Sequence, residues 1–164
     1  MELINSYFFQ PKTDMSDIVI EKFSEYTPEL VGRVLQMEQK VFDPPLSEEI
    51  VSKELEGRKD ILALFASSQG VYCGYKVGFQ HSPEIFYSWI GGVVTSYRRL
   101  GIATRLMETQ HTMVKAMGYK FVRTSTKNKY REMLLLNIKF GFDITGVQKK
   151  LRENDLSIVL EKEL

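Results

Sequence analysis

The stretch Gly91-Gly92-Val93-Val94-Thr95-Ser96-Tyr97-Arg98-Arg99-Leu100-Gly101-Ile102-Ala103-Thr104-Arg105-Leu106-Met107 limits what this chain can fold into more than any other. It reads as the end of a strand, a short basic turn with a glycine, and the start of an amphipathic helix. Ile102, Leu106, Met113, Val114 and Met117 recur at helical spacing and mark the face expected to be buried. Gly118 stands where such a helix stops, and Phe121-Val122-Arg123-Thr124 reads as the next strand. Strand, turn, helix and strand form a βαβ unit, which places ligands at strand ends. The turn gathers unpaired backbone N–H groups, the partial positive charge of a helix start and two arginines, which together suit an anion. Gly101 lets the backbone approach a phosphate closely, and Ala103 keeps the next turn nearly as bare. No Gly-Lys-Ser/Thr follows, which excludes a P-loop, and the glycine triplet of a dinucleotide fingerprint is missing.

A second patterned segment runs Tyr130-Arg131-Glu132-Met133-Leu134-Leu135-Leu136-Asn137-Ile138-Lys139-Phe140-Gly141-Phe142. Tyr130, Met133 and Asn137, three and seven residues apart, share one helical face. The apolar run Met133 to Leu136 predicts a well-buried helix.

Arg98-x-x-Gly101-x-Ala103 resembles the pyrophosphate-binding motif of the GNAT family of N-acetyltransferases. The segment from Tyr130 to Phe142 resembles the family's later motif, with Met133, Leu134, Asn137, Gly141 and Phe142 matching. Phe140 replaces the usual leucine, and Tyr130 stands where many members have asparagine. The resemblance implies that acetyl-CoA is the cosubstrate. It implies a cofactor site made of Gly92, Val93, Val94, Arg98, Arg99, Leu100, Gly101, Ile102, Ala103, Thr104, Tyr130, Met133 and Asn137. A backbone N–H near Val93 or Val94 would polarise the thioester carbonyl while the acceptor amine attacks it directly. Many members carry a tyrosine at the position of Asn137 as the acid for the leaving thiol; an amide does no acid–base work, so Asn137 reads as a hydrogen-bond partner of the cofactor.

Candidates for proton transfer are Glu38, Glu84, Tyr87 and Tyr130, and each also fits a solvated surface group. Glu38 lies on a helix that lines the acceptor cleft in the family, and Glu84 sits in a loop at one end of a central strand. The acceptor is expected between Phe42-Asp43-Pro44-Pro45 and the strand holding Tyr87 and Trp89. It is a small-molecule or protein amine. The missing tyrosine also admits a non-catalytic acyl-CoA sensor on the same fold.

The rest of the chain supports this frame. Ile18 to Phe23 alternates apolar and charged residues as a strand; Thr27 and Ser47 stand as caps before two helices, the second ending near Leu55. Ile61 to Ala66, Val71 to Phe79 and Ile85 to Val94 read as strands, and Asp143 to Leu151 with Leu156 to Leu160 as a hairpin around Glu153-Asn154-Asp155. The order β-α-α-β-β-β-α-β-α-β-β is that of the GNAT fold, an α/β (α+β) architecture. It implies a mixed central sheet of about seven strands with four helices, splayed at its central strands. Residues 18–164 are expected to form one domain, preceded by an N-terminal arm, residues 1–17, with Phe8, Phe9, Pro11 and Lys12.

The chain's 164 residues suit one domain with a full core, and a net charge of +1 argues against general nucleic-acid or membrane attraction. Residues 1–14 lack the pattern of a signal peptide, and no run approaches membrane-spanning length. The single cysteine, Cys73, excludes an internal disulfide and fits a cytoplasmic setting. Only two histidines, His81 and His111, are present, which makes a metal site unexpected, and His111 is expected on the exposed side of its helix. A monomer or homodimer is expected.

Overall fold

The computed structural model describes residues 15–149 and 156–164. The expected N-terminal arm through residue 14, and the turn Glu153-Asn154-Asp155, lie outside the described residues.

After a 3-10 turn at Met15–Asp17 come β1 (Ile18–Phe23), α1 (Pro28–Val41) and α2 (Glu48–Leu55). Both helix starts follow from their caps: Thr27 Oγ1 accepts from the Leu30 N–H at 3.1 Å, and Ser47 Oγ accepts from the Ile50 N–H at 3.4 Å. Pro28 at the first helical position suits α1, where no N–H partner is lost. Then follow β2 (Leu62–Ser68), β3 (Val71–Gln80) and β4 (Ile85–Val93), a 3-10 turn at Thr95–Tyr97, and α3 (Ile102–Ala116). The chain closes with β5 (Phe121–Lys127), α4 (Arg131–Lys139), β6 (Asp143–Lys149) and β7 (Leu156–Glu163).

The seven strands form one sheet in the order β1-β2-β3-β4-β5-β7-β6. Among the described strands only β4 and β5 pair in parallel. The other neighbours are antiparallel. One face carries α1 and α2 over Leu30, Val34, Met37, Phe65, Tyr75, Val77 and Phe79. The other carries α3 over Leu62, Leu64, Phe86, Ile102, Leu106 and Val114. Two apolar layers on one sheet explain why β2 is buried at every position.

Two expectations about helices are corrected here. His111 is not on an exposed side: it is 8% accessible, covered by the rings of Phe140 and Phe142. The helix α4 is not deeply buried, because Leu135 is 65% exposed and Asn137 is its only buried residue. Met113 on α3 is half-buried and Met117 is exposed, while Met107 and Gln110 join the buried face.

Candidate functional site

The central feature is a parting of two strands. Ile85, Phe86, Tyr87 and Ser88 pair with Phe121, Val122, Arg123 and Thr124, and the pairing stops there. The register of β4 against β3 slips between Ser88 and Ile90, leaving Trp89 as an extra residue, and such a bulge bends a strand. Beyond it β4 stays with β3, opposing Gly91 to Lys76, Gly92 to Tyr75 and Val93 to Gly74. The last residues of β5 stay with β7 instead. A wedge opens between them, and it continues as a narrow cleft lined by Lys76, Gly91, Gly92, Val93, Met107 and Met133.

The wedge exposes one edge of β4. Val94 donates its N–H to the Cys73 carbonyl at 2.9 Å. Alternation along a strand therefore turns the Val93 N–H away from β3, toward the gap. Of the two amides expected to polarise a carbonyl, the one at Val94 is thus engaged in the ladder. Gly91 and Gly92 are bare for packing reasons. A Cβ on Gly91 would stand 2.8 Å from the Tyr75 carbonyl oxygen, and one on Gly92 would run into Val41 of α1.

Past β4, Arg99 (φ 63°) and Gly101 (φ 78°) both adopt left-handed backbone, which folds the turn tightly before α3. The Arg98 Nε donates to the Val93 carbonyl at 3.1 Å and ties the turn back to the strand. The first closed bond of α3 is Arg105 N–H to the Gly101 carbonyl at 3.0 Å. The amides of Ile102, Ala103 and Thr104 precede it, and no side chain caps this helix start. Donors and dipole therefore face the mouth of the wedge, where an anion would sit. Across the wedge, Tyr130 precedes α4, Met133 lines the cleft, and Asn137 is 2% exposed.

The proton-transfer candidates separate. Glu38 is not a solvated group: it is 1% exposed, accepting from the Leu46 N–H at 2.9 Å and from the Tyr75 hydroxyl. Burial, and then the Glu38 charge, push the Tyr75 phenol far above its ordinary range, so it stays a donor. Glu84 is exposed, paired with Lys120 at the start of β4. The wedge is at the opposite end of that strand, so Glu84 does not reach it. Tyr87 is in the paired part of β4, on the α1/α2 face, with its ring against Phe79 and His81. Tyr130 is partly exposed and meets Phe42 edge to face at 5.9 Å between ring centres. Phe42, Tyr87 and Trp89 all pack, half-buried, on the α1/α2 layer.

Sequence reasoning passed over Lys76. It is the lone cation in an otherwise uncharged strand, and its place opposite Gly91 emerges only from the β3–β4 register. Burial alone lowers its ammonium to about 8. Among the described residues no group of three or more metal-ligating side chains gathers. No described helix is long and apolar enough to cross a membrane.

The arrangement is the GNAT fold. The chain superposes on Ard1 from Thermoplasma volcanium with a TM-score of 0.75 at 17% identity, covering 90% of this chain and 98% of that one. It matches the ribosomal-protein-S18-alanine N-acetyltransferase from Escherichia coli with a TM-score of 0.74 at 14% identity, over 88% and 94% of the two chains. A GNAT family acetyltransferase from Elizabethkingia anophelis with acetyl-CoA bound gives 0.72 at 23% identity, over 90% and 99%. No protein-family model and no curated protein sequence matches the chain.

Proposed function

We propose that the chain is an N-acetyltransferase that holds acetyl-CoA in the wedge between β4 and β5 and passes its acetyl group to an amine. One observation carries this reading: β4 and β5 pair for four residues and then part, with the uncapped start of α3 at the mouth of the opening. The diphosphate would rest on the amides from Gly101 to Thr104, with Arg98 and Arg99 alongside and Leu100 half-buried beneath the turn. The pantetheine arm would run along Gly92 and Val93, past Met133 and Asn137, and its edge would complete the unpaired side of β4. The Val93 N–H would meet the thioester carbonyl and stabilise the charge that develops there. Holding donor and acceptor in line supplies much of the acceleration in such a site.

The acceptor would enter from the α1/α2 side, over Phe42, Pro44, Pro45, Tyr87 and Trp89. Glu38, reached through the Tyr75 hydroxyl, and the hydroxyls of Tyr87 and Tyr130 are the groups available there to move a proton. The buried, unpaired Cys73 fits a reducing, cytoplasmic setting.

The test is thiol release from acetyl-CoA against small amines, aminoglycosides, amino acids and peptides with free N-termini or lysines. Release with at least one amine class, above the rate without amine, supports the transferase. Tight acetyl-CoA binding with no release for any class replaces it with an acyl-CoA sensor, a reading that the amide at Asn137 permits.

A further inference from the structure

Lys76 is built into the cleft by its surroundings. It faces the α3 side of the sheet directly opposite Gly91, and its Cγ lies 3.3 Å from where a Gly91 Cβ would stand. The stem therefore leans toward β4 at a residue with no side chain. Neighbouring strands are ~4.8 Å apart, less than a lysine's four methylenes span, so the side chain is long enough to carry its amine to the far edge of β4. Gly74, the next position on the same face of β3, is bare as well, because Ile102 of α3 presses on it within 2.9 Å of a Cβ position. Lys76, Gly92 and Val93 line one and the same cleft.

No described carboxylate accompanies this lysine: among the described residues it takes part in no ion pair or side-chain hydrogen bond. The titratable group its charge reaches from α3 is His111, and that ring is itself held uncharged, by burial first and then by Lys162 and Lys76. A half-buried ammonium with no counter-ion sheds its proton more readily than an exposed one, and the free amine is a strong nucleophile.

We propose that Lys76 is an acyl acceptor within the chain itself, taking the acetyl group of acetyl-CoA bound in the wedge. The proposal rests on the acetyl-CoA reading above. The neutral amine attacks the thioester carbonyl carbon. The new C–N bond forms, the C–S bond breaks, and the coenzyme A sulfur leaves with the electron pair and takes up the proton that the nitrogen loses. The products are acetyl-lysine and free coenzyme A, with no other reactant. Acetylation removes the charge and adds bulk beside Gly91, so the cleft of the modified chain is narrower and uncharged.

The experiment incubates the folded protein with acetyl-CoA at pH 8, digests it and follows acetylation lysine by lysine, with exposed Lys53 of α2 as reference. Lys76 is expected to react at least about tenfold faster than Lys53, since a positioned amine gains from proximity. Excess coenzyme A, and separately Gly101→Asp, should bring Lys76 down to the reference rate. The melting response to coenzyme A is recorded alongside. A raised melting temperature with Lys76 no faster than Lys53, or with a Lys76 rate that coenzyme A does not suppress, overturns the proposal and leaves the cofactor reading standing. An unmoved melting temperature removes the cofactor reading, and the proposal with it.

Discussion

The buried pair of Glu38 and Tyr75 gives the most quantitative prediction. Glu38 joins α1 to the loop at Leu46 and to β3, and its carboxylate has two donors, the Leu46 N–H and the Tyr75 hydroxyl. Tyr75→Phe deletes one oxygen and leaves the ring stacked on Phe65, at 6.2 Å between centres. What is lost is a hydrogen bond to a charged group, worth about 1.5–3 kcal/mol, in a setting where water cannot replace it. At about 2–4 °C per kcal/mol for a chain of this size, the melting temperature should fall by roughly 3–12 °C. Glu38→Gln can keep its oxygen for the Leu46 N–H and turn its amide N–H to the Tyr75 oxygen, which can accept as well as donate, so it should cost less. Combined in one protein, the two changes should show a coupling of about 1 kcal/mol or more, as residues sharing a bond do. Urea unfolding of the four proteins measures this. A Tyr75→Phe protein within about 0.5 kcal/mol of the parent, or strictly additive changes, would refute the pairing as a stabilising contact.

Three further predictions follow from the site. Gly91→Ala should destabilise by about 1–3 kcal/mol in urea, because its Cβ would press on the Tyr75 carbonyl and displace the Lys76 stem; unchanged stability would contradict that packing. His111 is lowered to about 4, by burial and then by Lys162 and Lys76, so the unfolded chain binds a proton that the folded one refuses. Its contribution is intact above about pH 6.5 and fades as pH falls toward 4, by up to about 3 kcal/mol, and His111→Gln should flatten that slope in melting curves. Asn137→Ala should weaken acetyl-CoA binding more than it lowers turnover at saturating cofactor; a fall in kcat at unchanged KM would instead give the amide a role in the transition state.

Much of the frame was legible because it rests on local chemistry. The caps at Thr27 and Ser47, the strand from Ile18 to Phe23 and the left-handed glycine before α3 each declare themselves within a few residues. The turn from Arg98 to Thr104 was legible for the same reason. What escaped depends on partners far away in sequence. Glu38 reads as a surface carboxylate until Tyr75, from a strand beyond the next helix, covers it. His111 reads as polar until the corner at Phe140 and Phe142 folds over it. Leu135 belongs to an apolar run, yet α4 lies at the rim and leaves it in solvent. Glu84 sits beside a central strand, but only the strand's direction tells that the wedge is at the other end. Lys76 gains meaning from the residue opposite it, and the bulge at Trp89 that helps to set this register leaves no mark in the alternation of side chains.

The central claim is that the opening between β4 and β5, with the bare start of α3 at its mouth, seats the diphosphate and arm of acetyl-CoA. A melting curve with and without the cofactor tests it most directly. A ligand that binds only the folded chain, at a hundred times its dissociation constant, adds about 2.7 kcal/mol, or roughly 5–10 °C here. The account predicts a rise of that order for the parent protein and none for Gly101→Asp, which puts a side chain and a negative charge on the left-handed residue that opens the helix. A parent protein unmoved by millimolar acetyl-CoA, or a Gly101→Asp protein that responds as the parent does, would contradict it.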